Sequence, residues 1–146
     1  MANFAAQVAD WVAQSKQAAE DVFHTASSRV VDIMQTTRGA GGNMPVDTGF
    51  LRASLLASSS SMPQIRADAK PVAGSAYGYD SGPINLVINN TPLGGKVYCG
   101  YSANYAGYAE FGTGSTPARL FVTLASQQWV AIVKQVEQEL SARLGR

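Results

Sequence analysis

Tyr105-Ala106-Gly107-Tyr108-Ala109-Glu110-Phe111-Gly112-Thr113-Gly114 decides how this chain is read. Tyr105, Tyr108 and Phe111 are spaced i, i+3, i+6, which puts three rings on one face of a short helix. Gly112 and Gly114 stand where such a helix ends, because glycine takes left-handed backbone angles without a Cβ clash. Pro117 bars a simple continuation. The spacing predicts a packed corner between two larger elements, and Glu110 is the one residue that a plain corner does not require.

N-terminal to the corner, residues 84–89 (Ile-Asn-Leu-Val-Ile-Asn) put Ile84, Leu86 and Ile88 on one side and read as a strand. Residues 96–101 read as its hairpin partner across Asn90-Thr91-Pro92-Leu93-Gly94-Gly95. A lone hairpin is marginal in water, so a third strand near residues 55–61 and a helical cover are expected. C-terminal to the corner, Thr116 as cap and Pro117 at the first helical position predict a helix running to about Leu144. Its face carries Val122, Ala125, Trp129, Ile132, Val133, Val136 and Leu140. At the other end, residues 3–37 read as one amphipathic helix with a stripe from Phe4, Val8, Trp11 and Val12 to Val30 and Ile33. His24, the single histidine, falls outside that stripe and is expected to be solvated or at an interface.

Between these elements, residues 38–43 are glycine-rich and read as a flexible connection. Asp47-Thr48-Gly49-Phe50-Leu51-Arg52-Ala53-Ser54 follows. Asp47 or Thr48 is a good N-cap for a short helix. Phe50, Leu51 and Leu55 anchor it, and Arg52 is free to pair with a carboxylate such as Glu110. Residues 64–83 lack periodicity and make a long loop or arm at about 63–83. Tyr77 and Tyr79 are its candidates for a subunit interface. The fold class is therefore α+β: one domain over residues 1–146, with long N- and C-terminal helices on a small, mainly antiparallel sheet and a short helix at each motif.

The chain has 146 residues, 46% apolar and only 14% charged, with net charge +1. That charge fraction is low against a usual value of about 25%, so part of the surface is expected to be covered by other subunits. No basic run supports nucleic-acid gripping as the main activity. One cysteine, Cys99, excludes a disulfide framework and a cysteine zinc site, and is expected as a small buried apolar residue. No signal peptide and no membrane span are read. No catalytic triad, metal cluster or phosphate loop is convincing: Gly39-Ala40-Gly41-Gly42 has only the glycine content of a phosphate loop, and Asp47 with Glu110 are two isolated acids.

The two motifs together, from Asp47 to Ser54 and from Tyr105 to Thr113, resemble the neck or tail-component proteins of long-tailed bacteriophages, also called tail-completion or head–tail joining proteins. The resemblance runs through nearly the whole chain in order: opening helix, Asp-Thr-Gly turn with a following Leu51 and Arg52, small sheet, corner with Glu110, Phe111, Gly112 and Thr113, and final helix. The family often carries prolines near Leu120 and Leu124, around a phenylalanine matching Phe121; leucines stand there here. The 64–83 excursion exceeds the family minimum.

The resemblance implies a structural virion protein at the neck or proximal tail, assembled in the host cytoplasm. It implies a ring of six or twelve copies between portal, adaptor or head-closure proteins and tail terminator or tube proteins, with DNA passing through a channel. It implies no cofactor, no metal, no membrane and no catalysis. A related tail terminator or tail-tube ring is an alternative. A non-viral binding module or small enzyme, with a cleft between sheet and long helices, is a second.

Overall fold

The computed structural model describes residues 3–143. Helix α1 spans Phe4–Gln35, α2 Phe50–Ala53, α3 Gly82–Asn90, α4 Ala106–Phe111, α5 Phe121–Ser126 and α6 Trp129–Arg143. Strands β1, Leu55–Ser58, and β2, Tyr98–Tyr101, form one antiparallel pair with Leu55 opposite Tyr101 and Ser58 opposite Tyr98. The class is α+β, with α1 and the α5–α6 arm as the main helices.

Helix α1 starts on Asn3, whose Oδ1 accepts the Ala6 N–H at 2.7 Å. It runs unbroken because no glycine or proline interrupts its period. Its C-terminal half is what the fold uses. Val31 and Met34 enter the main core with Met44, Leu51, Leu55, Ile84, Ile88, Tyr101 and Phe121. Ala26 packs with Ile132 and Val136 of α6 in a second cluster, flanked by Val22, Val30, Ile33 and Leu140. Arg29 closes this seam by a two-pronged pairing with Glu139. The pair raises the guanidinium's pKa and lowers the carboxyl's.

Four sequence expectations change. Residues 84–89 are helical, inside α3, so the hairpin partner of β2 is β1 instead. The C-terminal helix does not begin at Pro117. Residues 117–120 run beside the end of α4, where the Arg119 and Leu120 N–H groups donate to the Ala109 and Glu110 carbonyls at 3.0 and 3.1 Å. Those carbonyls lack helical acceptors' usual donors and take these instead. Leu120, at φ +54°, then turns the chain into α5. The helix is also interrupted between Ser126 and Trp129, and Leu144 lies outside the described residues. Residues 38–43 form a closed loop: Arg38 N–H donates to Met44 C=O at 3.0 Å and Met44 N–H to Thr36 C=O at 3.1 Å. Lastly, His24 is half-buried and its Nε2–H donates to the Thr91 carbonyl at 2.6 Å, pinning α1 to the end of α3.

Candidate functional site: two docked turns and a bare corner

The first motif is organised by Gly49. Its φ is +85°, and a Cβ there would lie 2.3 Å from the Tyr77 carbonyl oxygen. Thr48 serves both sides of the turn. Its Oγ1 accepts the Phe50 N–H at 3.3 Å, and its carbonyl accepts the Tyr77 N–H at 2.8 Å. Gly49, rather than Asp47 or Thr48, occupies the position just before α2. Asp47 is exposed.

The 64–83 segment is thereby held by its own chain. Arg66 N–H donates to Ser102 C=O at 2.9 Å, and Asn104 N–H to Ala69 C=O at 2.8 Å. Tyr77 packs edge-on against Phe50, ring centroids 5.0 Å apart. Tyr79 lies under the Arg52 guanidinium, 5.0 Å from its ring centroid. The two tyrosines expected at a subunit interface are thus half-buried inside one chain. Burial pushes the Tyr79 phenol upward, with the Gln35 side chain acting weakly against it, and among the described residues its hydroxyl makes no hydrogen bond of good geometry.

Arg52 and Glu110 do not meet. The Arg52 Nε–H donates to the Gln35 main-chain carbonyl at 2.8 Å, while the Gln35 Nε2–H returns a bond to Arg52 C=O at 2.8 Å. Gln35 is fully buried, and its Oε1 accepts the Tyr101 hydroxyl at 2.7 Å. This closed set joins α1, α2 and β2. Gln35, at the end of α1 beside Thr36, Thr37 and Arg38, carried no sequence signal that singled it out.

Glu110, also buried, caps α5. Oε2 accepts the Val122 N–H at 3.0 Å, and Oε1 accepts the Thr123 N–H at 2.8 Å and its hydroxyl at 2.6 Å. A carboxylate suits this place because the first N–H groups of a helix lack internal partners. Leu120, at the cap position, has no side chain able to accept them. Gly112 ends α4 at φ +81°, and a Cβ there would sit 2.7 Å from Ala118 N. Thr113 Oγ1 accepts the Thr116 N–H at 3.1 Å, closing the small loop. Phe121 is buried edge-on against Tyr101 at 5.2 Å.

The three corner rings do not share one buried face. Tyr105 packs on Phe50, centroids 6.4 Å apart, and burial, with Asp47 nearby, pushes its phenol upward. Tyr108 and Phe111 stand 66% and 73% exposed. The corner therefore presents aromatic surface outward.

The two motifs meet across a cleft of about 580 Å³ with Phe50, Leu51, Tyr105 and Ala109 on its walls and Arg38, Asp47 and Arg119 lining it. Neither arginine side chain makes an ion pair or hydrogen bond among the described residues. Among those residues no group of three or more histidine, cysteine or acidic side chains gathers to hold a metal. No helix among them is long and apolar enough to cross a membrane. Cys99 is half-buried and unpaired, and burial raises its thiol's pKa, which keeps it protonated. Comparisons with protein-family models, with curated proteins and with solved structures find no match for this chain.

Proposed function

We propose that this chain is the subunit of an oligomeric ring at the head–tail junction of a tailed bacteriophage, joining the tail to the capsid connector around a channel for DNA. One observation carries the reading: large apolar side chains stand in solvent on a chain with very few charges. Phe4 is 79% and Trp11 68% exposed, in addition to Tyr108 and Phe111. Monomeric proteins rarely leave contiguous apolar patches beyond a few hundred Å² bare, and larger ones mark contact sites. The motif residues support the same reading. Gly49, Glu110, Gly112 and Thr113 close backbone turns, a scaffold's task, and the proposal gives none of them catalytic work. The near-neutral net charge suits a channel that lets duplex slide, because phosphate contacts are what hold it.

Light scattering on the purified chain, with electron microscopy of the same sample and of isolated necks and tails, tests this. Closed rings with a central opening, found again at the junction, are the expected result. Rings found at the far side of the neck, capping the tail tube, would make it a tail terminator instead. A strict monomer at every concentration would overturn the ring.

The cleft between the two motifs favours a second reading, a small binding module for an anionic group on an apolar body. Its volume is within the usual range for ligand sites, about 300–1,000 Å³. That reading requires a monomer whose melting temperature rises with such a ligand and stops rising in Arg38→Ala/Arg119→Ala.

A further inference from the structure

The stripe of α1 that packs on α6 through Val22, Ala26 and Val30 continues toward the N-terminus as Phe4, Val8, Trp11 and Val12. Successive residues of a helix are rotated by about 100°, so these side chains lie on the same side as the buried part. Among the described residues nothing covers them, and Phe4, Val8, Trp11 and Val12 are all exposed. The result is a protruding convex ridge.

A concave counterpart lies on the same chain. Beside the corner, a groove of about 430 Å³ is lined by Met62, Pro63, Ile65, Phe111, Phe121 and Val122. Met62, Ile65 and Phe111 are exposed. The groove has no lysine or arginine, and the oxygens of its one acid, Glu110, are bonded to α5. Gly107 lies along both this groove and the adjoining hollow beside Tyr108. It sits inside α4, where glycine costs roughly 0.5–1 kcal/mol relative to alanine. Its own chain does not require it: a Cβ there meets nothing within 4 Å, and its φ is not positive. An absent side chain on an open helical surface leaves room for close approach of another backbone.

We propose that the N-terminal half of α1 of one copy docks, ridge first, into the groove beside Gly107 of a second copy. The inference rests on the ring reading above and names the contact that builds the ring. Charge selects this occupant. Between Asn3 and Ser15 the only charged residue is Asp10, so the helix lacks the basic polar face by which amphipathic helices lie on anionic membranes, and it offers no grip on phosphates. A ridge without charge matches a groove whose one acid is already bonded within its own chain. Area agrees as well. Phe4 and Trp11 on the ridge, and Phe111 of the groove with Tyr108 of the adjoining hollow, supply up to roughly 300 Å² of the about 800 Å² per partner that stable interfaces bury, before the aliphatic side chains and backbone around them are counted. Ridge and groove are different surfaces, so each docked copy keeps one of each free. Such head-to-tail contacts close into a ring when the rotation per step allows.

The test uses the full chain, Trp11→Asp and Gly107→Gln, each checked by circular dichroism and followed by sedimentation over a concentration series. Both substitutions fall on positions that face solvent or open space, so the fold is retained. Each variant is expected to raise the concentration needed for rings by more than about tenfold, the loss typical of a buried aromatic anchor or a blocked pocket. Mixed together, they are expected to form dimers and nothing larger. The intact ridge of the Gly107→Gln copy fits the intact groove of the Trp11→Asp copy, and the remaining surfaces are blocked. Gly107→Gln assembling like the parent, or a mixture that stays monomeric up to its solubility, would overturn the contact while leaving the ring. A parent chain that never assembles would overturn both.

Discussion

The Glu110 carboxylate accepts two hydrogen bonds from a single residue, the backbone N–H of Thr123 at 2.8 Å and its hydroxyl at 2.6 Å. A side chain from α4 thus does for α5 what a local cap does elsewhere. The corner and the last helical arm are one unit as a result. Glu110→Gln places an amide N–H against backbone donors and is expected to cost about 1–3 kcal/mol, the range for stranding a buried polar group. Urea unfolding of a double-mutant cycle should give clear coupling between Glu110 and Thr123, above about 0.5 kcal/mol. Cycles of Glu110 with Arg52 and with Arg119 should stay below that level. Strong coupling to either arginine would contradict the capping role.

Gly49→Ala is expected to destabilise the chain by about 1–3 kcal/mol, because the methyl group meets the Tyr77 carbonyl and the left-handed backbone disfavours it. The damage should be local first: limited proteolysis within residues 64–83 should accelerate. Gly39→Ala, whose Cβ meets nothing within 4 Å, is the control and should melt like the parent. Equal proteolysis of both variants would show that the Thr48–Tyr77 junction does not hold this segment.

Gln35 bonds to Arg52 C=O and to the Tyr101 hydroxyl from a fully buried position. Gln35→Leu strands both, at about 1–3 kcal/mol for each group left unpaired. Tyr101→Phe should cost less, about 0.5–1.5 kcal/mol. Adding it to Gln35→Leu should cost less than it does alone, since the hydroxyl it removes is already orphaned. Additive losses in chemical denaturation would contradict the shared bond.

Burial raises the Tyr101 phenol well above its ordinary range, and Tyr79 and Tyr105 shift the same way for the same cause. The folded chain therefore keeps these protons to higher pH than the unfolded chain. Stability is full below the unfolded phenol pKa of about 10 and falls as pH rises above it. Urea midpoints from about pH 8 to about pH 11 should decline at the alkaline end, and less steeply in Tyr101→Phe. A flat profile in the parent would contradict the burial of these hydroxyls.

The long first helix was legible because nothing in it competes with the 3.6-residue period. Helix α3 was not, and the reason is specific. Ile84 and Ile88 are buried and four apart, which fits a strand face and a helix face equally. Only Leu86 separates the two, and it is exposed, as the helix requires. Pro83, near the start of α3, was the available signal, since proline favours the first turn. At the corner, composition located Glu110 and Gly112 but not their partners. Glu110 pairs with backbone N–H groups twelve and thirteen positions on, which leave no mark in residue identity. The interruption at Gln127 and Gln128 has no glycine or proline to announce it. Tyr108 and Phe111 follow the spacing of core residues, and only the packing of neighbouring elements reveals them bare.

The 32 residues of α1 make a rod about 48 Å long, rooted at one end in the core and exposed from Phe4 to Val12 at the other. An unbroken helix bends little, so the rod acts as a stiff lever. In the ring proposed above, the direction in which it leaves the body would fix the angle between one copy and the next. Copy number in a ring is then set by a helix axis rather than by the chemistry of the contact. Gln17→Pro would bend the helix beyond Val12, the last ridge residue, and so change that angle while sparing the ridge; a single closed size would give way to a spread of sizes and open chains.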